Sequence, residues 1–515
     1  MKRRTFIQTS SIMTLPVVLG GVEVTAIKKS RLTELIQGDS DKVLVLIQLN
    51  GGNDGLNTFI PIDQNDQLAN LRPQIFIPKN KTLKISDKNA FHPAMTGFRN
   101  MFNEGLITPI QSVGYPDQNR SHFRSTDIWV TATDSDQFVS TGWLGRYFDL
   151  NYQGFPEQYP NDTYKDPFAI TLGSIVSETC QGPVANFSYA VESKDGVLSL
   201  DDTISGTTEH NGCYGGQLSF VKDVVRQTNV YSGQVLDAFD KGNNQVTYPD
   251  TRLAENLKIV ANLISGGLGT KVYVVSLGGF DTHAGQADGT DTAMGDHAEL
   301  LGTLADAIQA FQKDLVALGI DKRVLGMTFS EFGRQIRGNG SFGTDHGNAA
   351  PLFIFGSCVS GSIIGSNPQI DPQTQVQEGV ALQYDFRSVY ATILMDWFGA
   401  DASAIENILF KDFTRLPFIA GCQTTSSETQ EITLKATLEP NPAITQSRLT
   451  MESSGDAVNI VIYDVRGSSI KTICNKKLGK GTHEINVDVS DLSAGVYILH
   501  IREGIRQENL RMIKI

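Results

Sequence analysis

Two stretches of this chain are apolar at nearly every position and then stop at paired glycines. One is Val43-Leu44-Val45-Leu46-Ile47, which runs on to Gly51-Gly52-Asn53-Asp54-Gly55. The other is Val272-Tyr273-Val274-Val275, which runs on to Gly278-Gly279-Phe280-Asp281-Thr282-His283. A strand with one wet face alternates apolar and polar residues, so an unbroken apolar run predicts a strand buried on both faces, in a parallel sheet layered between helices. The helix expected after the second run has apolar residues at Leu301, Leu304, Ala305, Ile308, Phe311, Leu315 and Leu318, a helical period. A third unit is Val324 to Phe329, followed by Ser330-Glu331-Phe332-Gly333-Arg334 and a glycine-rich loop ending Gly343-Thr344-Asp345-His346-Gly347-Asn348. The strand Leu352 to Phe355 comes next, and Leu106 to Gly114 reads as a fourth strand. Alternation of this kind predicts an α/β fold with a doubly wound, mostly parallel sheet.

Open sheets of this type bind ligands beyond the carboxyl ends of their strands. Asp54, the pair Asp281 and His283, and the pair Asp345 and His346 all fall there, and the glycines beside Asp54 let the backbone turn sharply and approach a bound ion. Carboxylate oxygens and imidazole nitrogens together are a donor set for zinc, manganese or a similar divalent ion, and no cysteine stands nearby. His297, one turn before Leu301 on the inward face of its helix, reads equally as a core histidine or a ligand.

The ends of the chain differ from the middle. Met1-Lys2-Arg3-Arg4-Thr5-Phe6-Ile7 and the modest apolar stretch after it read as an export signal resembling the twin-arginine type, too short in its apolar part to span a membrane. Residues 423 to 437 have linker composition, and the short β-branched and aromatic runs beyond them predict a small antiparallel sandwich. The expected organisation is a signal and leader over 1–40, an α/β domain over 41–421, a linker over 422–437 and a β domain over 438–515. Two insertions, Asn151 to Ser193 and Thr207 to Asp250, lack helical periodicity and read as long loops. Lys and Arg total 43 against 56 Asp and Glu, a formal charge of −13 that offers no footprint for nucleic acid. The five cysteines show no Cys-x-x-Cys spacing; one disulfide is possible but no pairing follows.

Taken together, the residues resemble known families. Leu438-Glu439-Pro440-Asn441-Pro442-Ala443, Ile462-Tyr463-Asp464-Val465-Arg466-Gly467, Leu492-Ser493-Ala494-Gly495-Val496-Tyr497 and the basic end at Lys514 resemble the C-terminal sorting domain of type IX secretion substrates. The order of Asn53-Asp54-Gly55, a hydroxyl at a helix start, Asp281-x-His283 and Asp345-His346-Gly347 resembles the alkaline phosphatase and sulfatase superfamily. More closely, Gln48-Leu49-Asn50-Gly51-Gly52-Asn53-Asp54-Gly55, Arg120-Ser121-His122-Phe123, Gly142-Trp143-Leu144-Gly145-Arg146, Gly279-Phe280-Asp281-Thr282-His283 and Ser330-Glu331-Phe332-Gly333-Arg334 resemble an exported branch, the family called domain of unknown function fifteen-oh-one.

That resemblance implies an exported, metal-dependent hydrolase of phosphate or sulfate esters, or a non-catalytic binding protein on a degenerate hydrolase fold. Zinc leads among the expected ions, with manganese, magnesium or calcium as alternatives. The resemblance makes Asp54 a metal ligand, puts Asp345 and His346 on one metal and Asp281 and His283 on another, and makes Ser121 the nucleophile, although Ser121 also reads as a helix cap and Ser125 and Thr126 are close by. The superfamily's final histidine ligand is missing, and His122 or His297 would have to replace it. Asn53, Arg120, His122 and Arg334 are expected to contact substrate, with an arginine clamping a tetrahedral anion. No Cys-x-Pro-x-Arg run is present, which disfavours a standard sulfatase mechanism. The partners implied are a small-molecule or polysaccharide ester and the export machinery at both termini, with no transmembrane segment.

Overall fold

A computed structural model describes residues 41–197, 228–422, 436–453, 455, 457–464, 469–503 and 506–515, with two short paired strands at Val17–Leu19 and Val22–Val24. The twin-arginine-like motif, most of the leader, the first part of the second insertion, most of the linker and the turn at Gly467 lie outside the described residues. The chain divides into two compact units, one spanning Gly38–Gln423 and the other holding Thr424–Ile515.

The larger unit is built on an eight-stranded sheet. In chain order its strands are β1 (Val43–Leu49), β2 (Ile107–Gly114), β3 (Ala169–Leu172), β4 (Ser188–Val191), β5 (Val272–Leu277), β6 (Val324–Phe329), β7 (Ala350–Phe355) and β8 (Tyr384–Asp385). Across the sheet they lie β8-β2-β7-β6-β1-β5-β3-β4. All neighbours pair in parallel except β7, which is antiparallel to both β6 and β2. The first insertion is therefore not a loop throughout: it supplies β3 and β4, strands too short to show a period in sequence. The second insertion also departs from the loop expectation, since 228–241 is helical.

The unbroken apolar runs are explained by two cores. Leu44, Leu46, Val272 and Val274 join one buried cluster, while Val43, Val45, Ile47, Tyr273 and Val275 join the other. Successive side chains on a strand point to opposite faces, so each face of the sheet packs its own layer. The first layer holds α1 (His122–Thr131), α2 (Trp143–Asn151) and α3 (Phe386–Thr392), with Trp143 stacked on Tyr390 at 4.2 Å. The second holds a helix over Arg252–Ser265 and a long one over Asp296–Ala317, whose Leu301, Leu304, Ile308, Phe311 and Leu315 are fully buried. A disulfide joins Cys358 to Cys422; Cys180 and Cys474 are free and buried.

The smaller unit has a three-stranded sheet (Ala436–Glu439, Gln446–Ser453, Gly481–Asp488) and a four-stranded one (Ala457–Asp464, Ser469–Lys477, Gly495–Glu503, Arg506–Lys514), antiparallel throughout. Leu449, Met451, Val487, Ile460, Ile462, Leu499, Ile501 and Met512 fill one core between them. No helix among the described residues is long and apolar enough to cross a membrane.

Candidate metal centre

The carboxyl ends of β1, β5 and β6 open on one edge of the sheet. Because β7 runs the other way, the loop that enters it arrives at that same edge, carrying His346. Gly51 and Gly52, just past β1, adopt φ of +123° and +82°. A side chain at Gly51 would meet the Asp281 amide at 2.2 Å, so glycine is what lets the β1 and β5 loops touch.

Four side chains converge there. His346 Nε2 lies 3.0 Å from His283 Nε2 and 3.1 Å from Asp281 Oδ1, and His283 Nε2 lies 3.2 Å from the same oxygen. His122, on the first turn of α1, places Nε2 3.4 Å from Asp281 Oδ2, and this nitrogen is buried without a hydrogen bond. Each imidazole is held through its other nitrogen: His122 Nδ1 by Glu331 Oε1 at 2.7 Å, His283 Nδ1 by Asp345 Oδ1 at 2.8 Å, and His346 Nδ1 by the Arg120 carbonyl at 2.8 Å. A carbonyl or carboxylate only accepts, so Nδ1 carries a hydrogen, and in the neutral ring that leaves the Nε2 lone pair for a ligand role. Metal-binding histidines are usually oriented in this way.

The Nε2 atoms of His283 and His346 face one another at 3.0 Å, a separation that calls for either a shared proton or a metal ion between them. Nitrogens sharing a tetrahedral zinc are roughly 3.3 Å apart, given Zn–N of about 2.0–2.1 Å. His122, Asp281, His283 and His346 therefore fit a divalent ion. Burial depresses the His346 pKa, helped by the charges of Arg334 and His122 and opposed by the Arg120 and Asp281 hydrogen bonds, which favours the neutral ligand form. Burial pushes the Asp281 carboxyl up, but the donors and charge of Arg334, with His346 and His283, outweigh it and leave it below the usual range. The site is open outward, with the Asp281 and His283 side chains nearly half exposed.

The other predicted site residues have different partners. Asp54 does not join the cluster: it is buried against Arg72, whose Nη1 reaches Oδ1 at 3.1 Å and Oδ2 at 2.8 Å, and Gln286 Nε2 donates to Oδ2 at 2.6 Å. His297 is a core histidine, its Nε2 on Asn53 Oδ1 at 2.9 Å, and Asn53 also takes the Thr58 hydroxyl at 2.8 Å; neither side chain belongs to the cluster. Asp345 orients His283. Arg120 is spent on Asn348 and Gln377, so it does not present a free guanidinium. Arg334 is fully buried and donates to the carbonyls of Gly51, Gly52, Phe280 and Thr344 and to Asp281 Oδ1 at 2.6 Å. It ties together the loops that carry the ligands instead of clamping an anion. Ser121 is exposed at the cap of α1 and makes no capping hydrogen bond, whereas Ser125 is buried against the Glu331 carbonyl and the Tyr115 hydroxyl. Sequence reasoning gave no role to Glu331 or Arg72. Glu331 had a signal, an acid just past a strand end like Asp54 and Asp281; Arg72 had none.

His297 and His92 face each other edge to face at 6.0 Å in the core below this edge. Burial lowers the His297 pKa to about 4 and, with the His297 charge, that of His92 to about 3. Both stay neutral in the folded chain while the unfolded chain takes up protons below about 6.5, so their contribution is complete above that pH and is lost as pH falls toward 4. The thermal midpoint should drop by several degrees between pH 7 and pH 4.5 in scanning calorimetry, and His297→Gln should flatten that slope. An unchanged slope in the variant would assign the acid sensitivity to other groups.

The fold and site define an α/β protein with a histidine–carboxylate cluster at the carboxyl edge of its sheet, joined to an antiparallel β domain. Residues 249–402 match the family described as "Protein of unknown function (DUF1501)", and residues 438–514 match the "Secretion system C-terminal sorting domain". The first match contains Asp281, His283, His346, Glu331 and Arg334; His122 lies outside it. The second marks the chain for secretion to the cell surface or beyond. Similar solved structures include the PsFucS1 sulfatase from Pseudoalteromonas sp. (11% identity, 90% of this chain and 86% of that one, TM-score 0.33). Others are an alkaline phosphatase superfamily protein from Vibrio parahaemolyticus (8%, 92% and 80%, 0.34) and a phosphonate monoester hydrolase from Silicibacter pomeroyi (9%, 92% and 89%, 0.34). Likeness at this level carries nothing about the chemistry of this chain. No curated protein matches it.

Proposed function

We propose that this chain is an exported, metal-dependent hydrolase of phosphate or sulfate esters, with His122, Asp281, His283 and His346 as the ligands. One observation carries the metal reading: the Nε2 atoms of His283 and His346 stand 3.0 Å apart while both Nδ1 atoms are already occupied by acceptors. A bound divalent ion, zinc first for an imidazole-rich set, polarises an ester oxygen and lowers the pKa of a hydroxyl. The chain supplies the rest. Ser121 offers an exposed hydroxyl one residue before a ligand, and the amides of the first turn of α1 are free to hold an oxyanion. The half-exposed face of Asp281 and His283 gives an ester access from solvent.

A non-catalytic, metal-holding surface protein is the second reading. It is favoured by Arg120 and Arg334, both of which are engaged by protein acceptors and leave neither predicted anion clamp free. Elemental mass spectrometry on the mature protein beside His346→Ala, followed by aryl phosphate and sulfate assays, separates the readings. Near-stoichiometric metal that disappears in the variant, with hydrolysis that Ser121→Ala reduces, is the expected result. Metal without turnover of any ester would favour the surface protein, and absence of metal even after titration would end both.

A further inference from the structure

The resemblance puts Asp345 and His346 on one metal and Asp281 and His283 on another, which raises the question of how many ions the edge can hold. A second ion needs a second set of donor atoms that converge on one point and are not neutralised by a fixed cation. Asp54 accepts from Arg72, Gln286 and the Leu56 amide. Glu331 accepts on Oε1 from the Gly51 amide at 2.8 Å and from His122 at 2.7 Å. Asp345 takes His283 at 2.8 Å and Asn339 at 3.4 Å, both on Oδ1, and its part in the cluster is to orient His283. Among the described residues, potential ligand atoms gather in threes or more only in the cluster already described, around Asp281 and His346 with His122 and His283.

Arg72 is not a casual partner of Asp54. It is fully buried, and its remaining donors are fixed by the carbonyls of Ile336 and Gln335, both at 2.8 Å, and by Asn57 Oδ1 at 3.2 Å. Swinging it aside would strand those carbonyls and leave a buried charge unpaired, both costly. Arg334 adds a second fixed cation directly against Asp281. Two immobile guanidiniums at this edge repel a second dication, and Arg72 also occupies both oxygens of Asp54.

We infer that the site holds one divalent ion per chain, and that the Arg72 guanidinium stands in place of a second, neutralising Asp54 permanently. This rests on the reading of the cluster as a metal centre. The test is the ion-to-protein ratio of the full mature chain, measured by elemental mass spectrometry after saturation with zinc and, separately, with manganese, for the wild type, Asp54→Asn and the double variant Asp54→Asn/Arg72→Met. Removing both partners together avoids leaving an unpaired buried charge if Asp54→Asn alone fails to fold, and circular dichroism reports folding in each case. The wild type and any folded Asp54 variant should hold one ion. Two ions in the wild type, or an ion lost from a folded Asp54 variant, would overturn the inference while leaving the metal centre standing. No ion in the wild type after saturation would overturn the metal centre itself.

Discussion

Arg334→Met should cost about 3–5 kcal/mol of stability, read as a shift in the urea midpoint, because it removes one buried guanidinium that satisfies many acceptors at once. Its hydrogen bonds to Gly51, Gly52, Phe280 and Thr344 pin the loops after β1 and β5 and the loop entering β7, and its contact with Asp281 orients a proposed ligand. Most of the loss comes from the stranded carbonyls, since Asp281 is partly exposed and its ion pair is partly screened. Arg334→Lys keeps the charge but loses the planar fork, so it should recover only a minor part. A methionine variant within about 1 kcal/mol of the wild type would show that the loops are held by other contacts.

Removal of the Cys358–Cys422 disulfide should cost about 4 kcal/mol, by the entropy of a loop closed over a sequence separation of 64. Cys422 ends the described part of the α/β unit, and its carbonyl also takes Lys42 Nζ at 3.0 Å. The bridge thus fastens the end of that unit beside the start of β1. The double Cys→Ala variant and the reduced wild type should unfold at the same lowered denaturant concentration. A double variant as stable as the oxidised protein would mean that the surrounding contacts already hold this end. A bridge of this kind persists in an oxidising environment, in keeping with the secretion domain.

Much of the architecture was legible because burial writes itself into local sequence. A strand packed on both faces has to be apolar at every position, which is why β1 and β5 could be read directly. The same physics hid β3 and β4, since four residues are too few to carry a period. The acids and histidines past the strand ends were legible as a set. Their individual roles were not, because a carboxylate's role depends on what lies opposite it: Asp281 faces imidazoles, whereas Asp54, with the same glycine-flanked setting in sequence, faces Arg72, 18 residues away along the chain.

By itself the sequence determined an α/β sheet layered on both faces, a secretion domain after it, and a carboxyl edge rich in acids and imidazoles. Those properties follow from which residues are apolar, in what period, and where glycine interrupts them. Only the tertiary structure decided that β7 runs antiparallel and delivers His346 to that edge, that His122 and not His297 stands in the cluster, that Arg334 is a buried tie between loops, and that Arg72 is the partner of Asp54. The reason is geometric: ligation and ion pairing are settled by contacts within about 3 Å between residues far apart in sequence, and no local pattern encodes them.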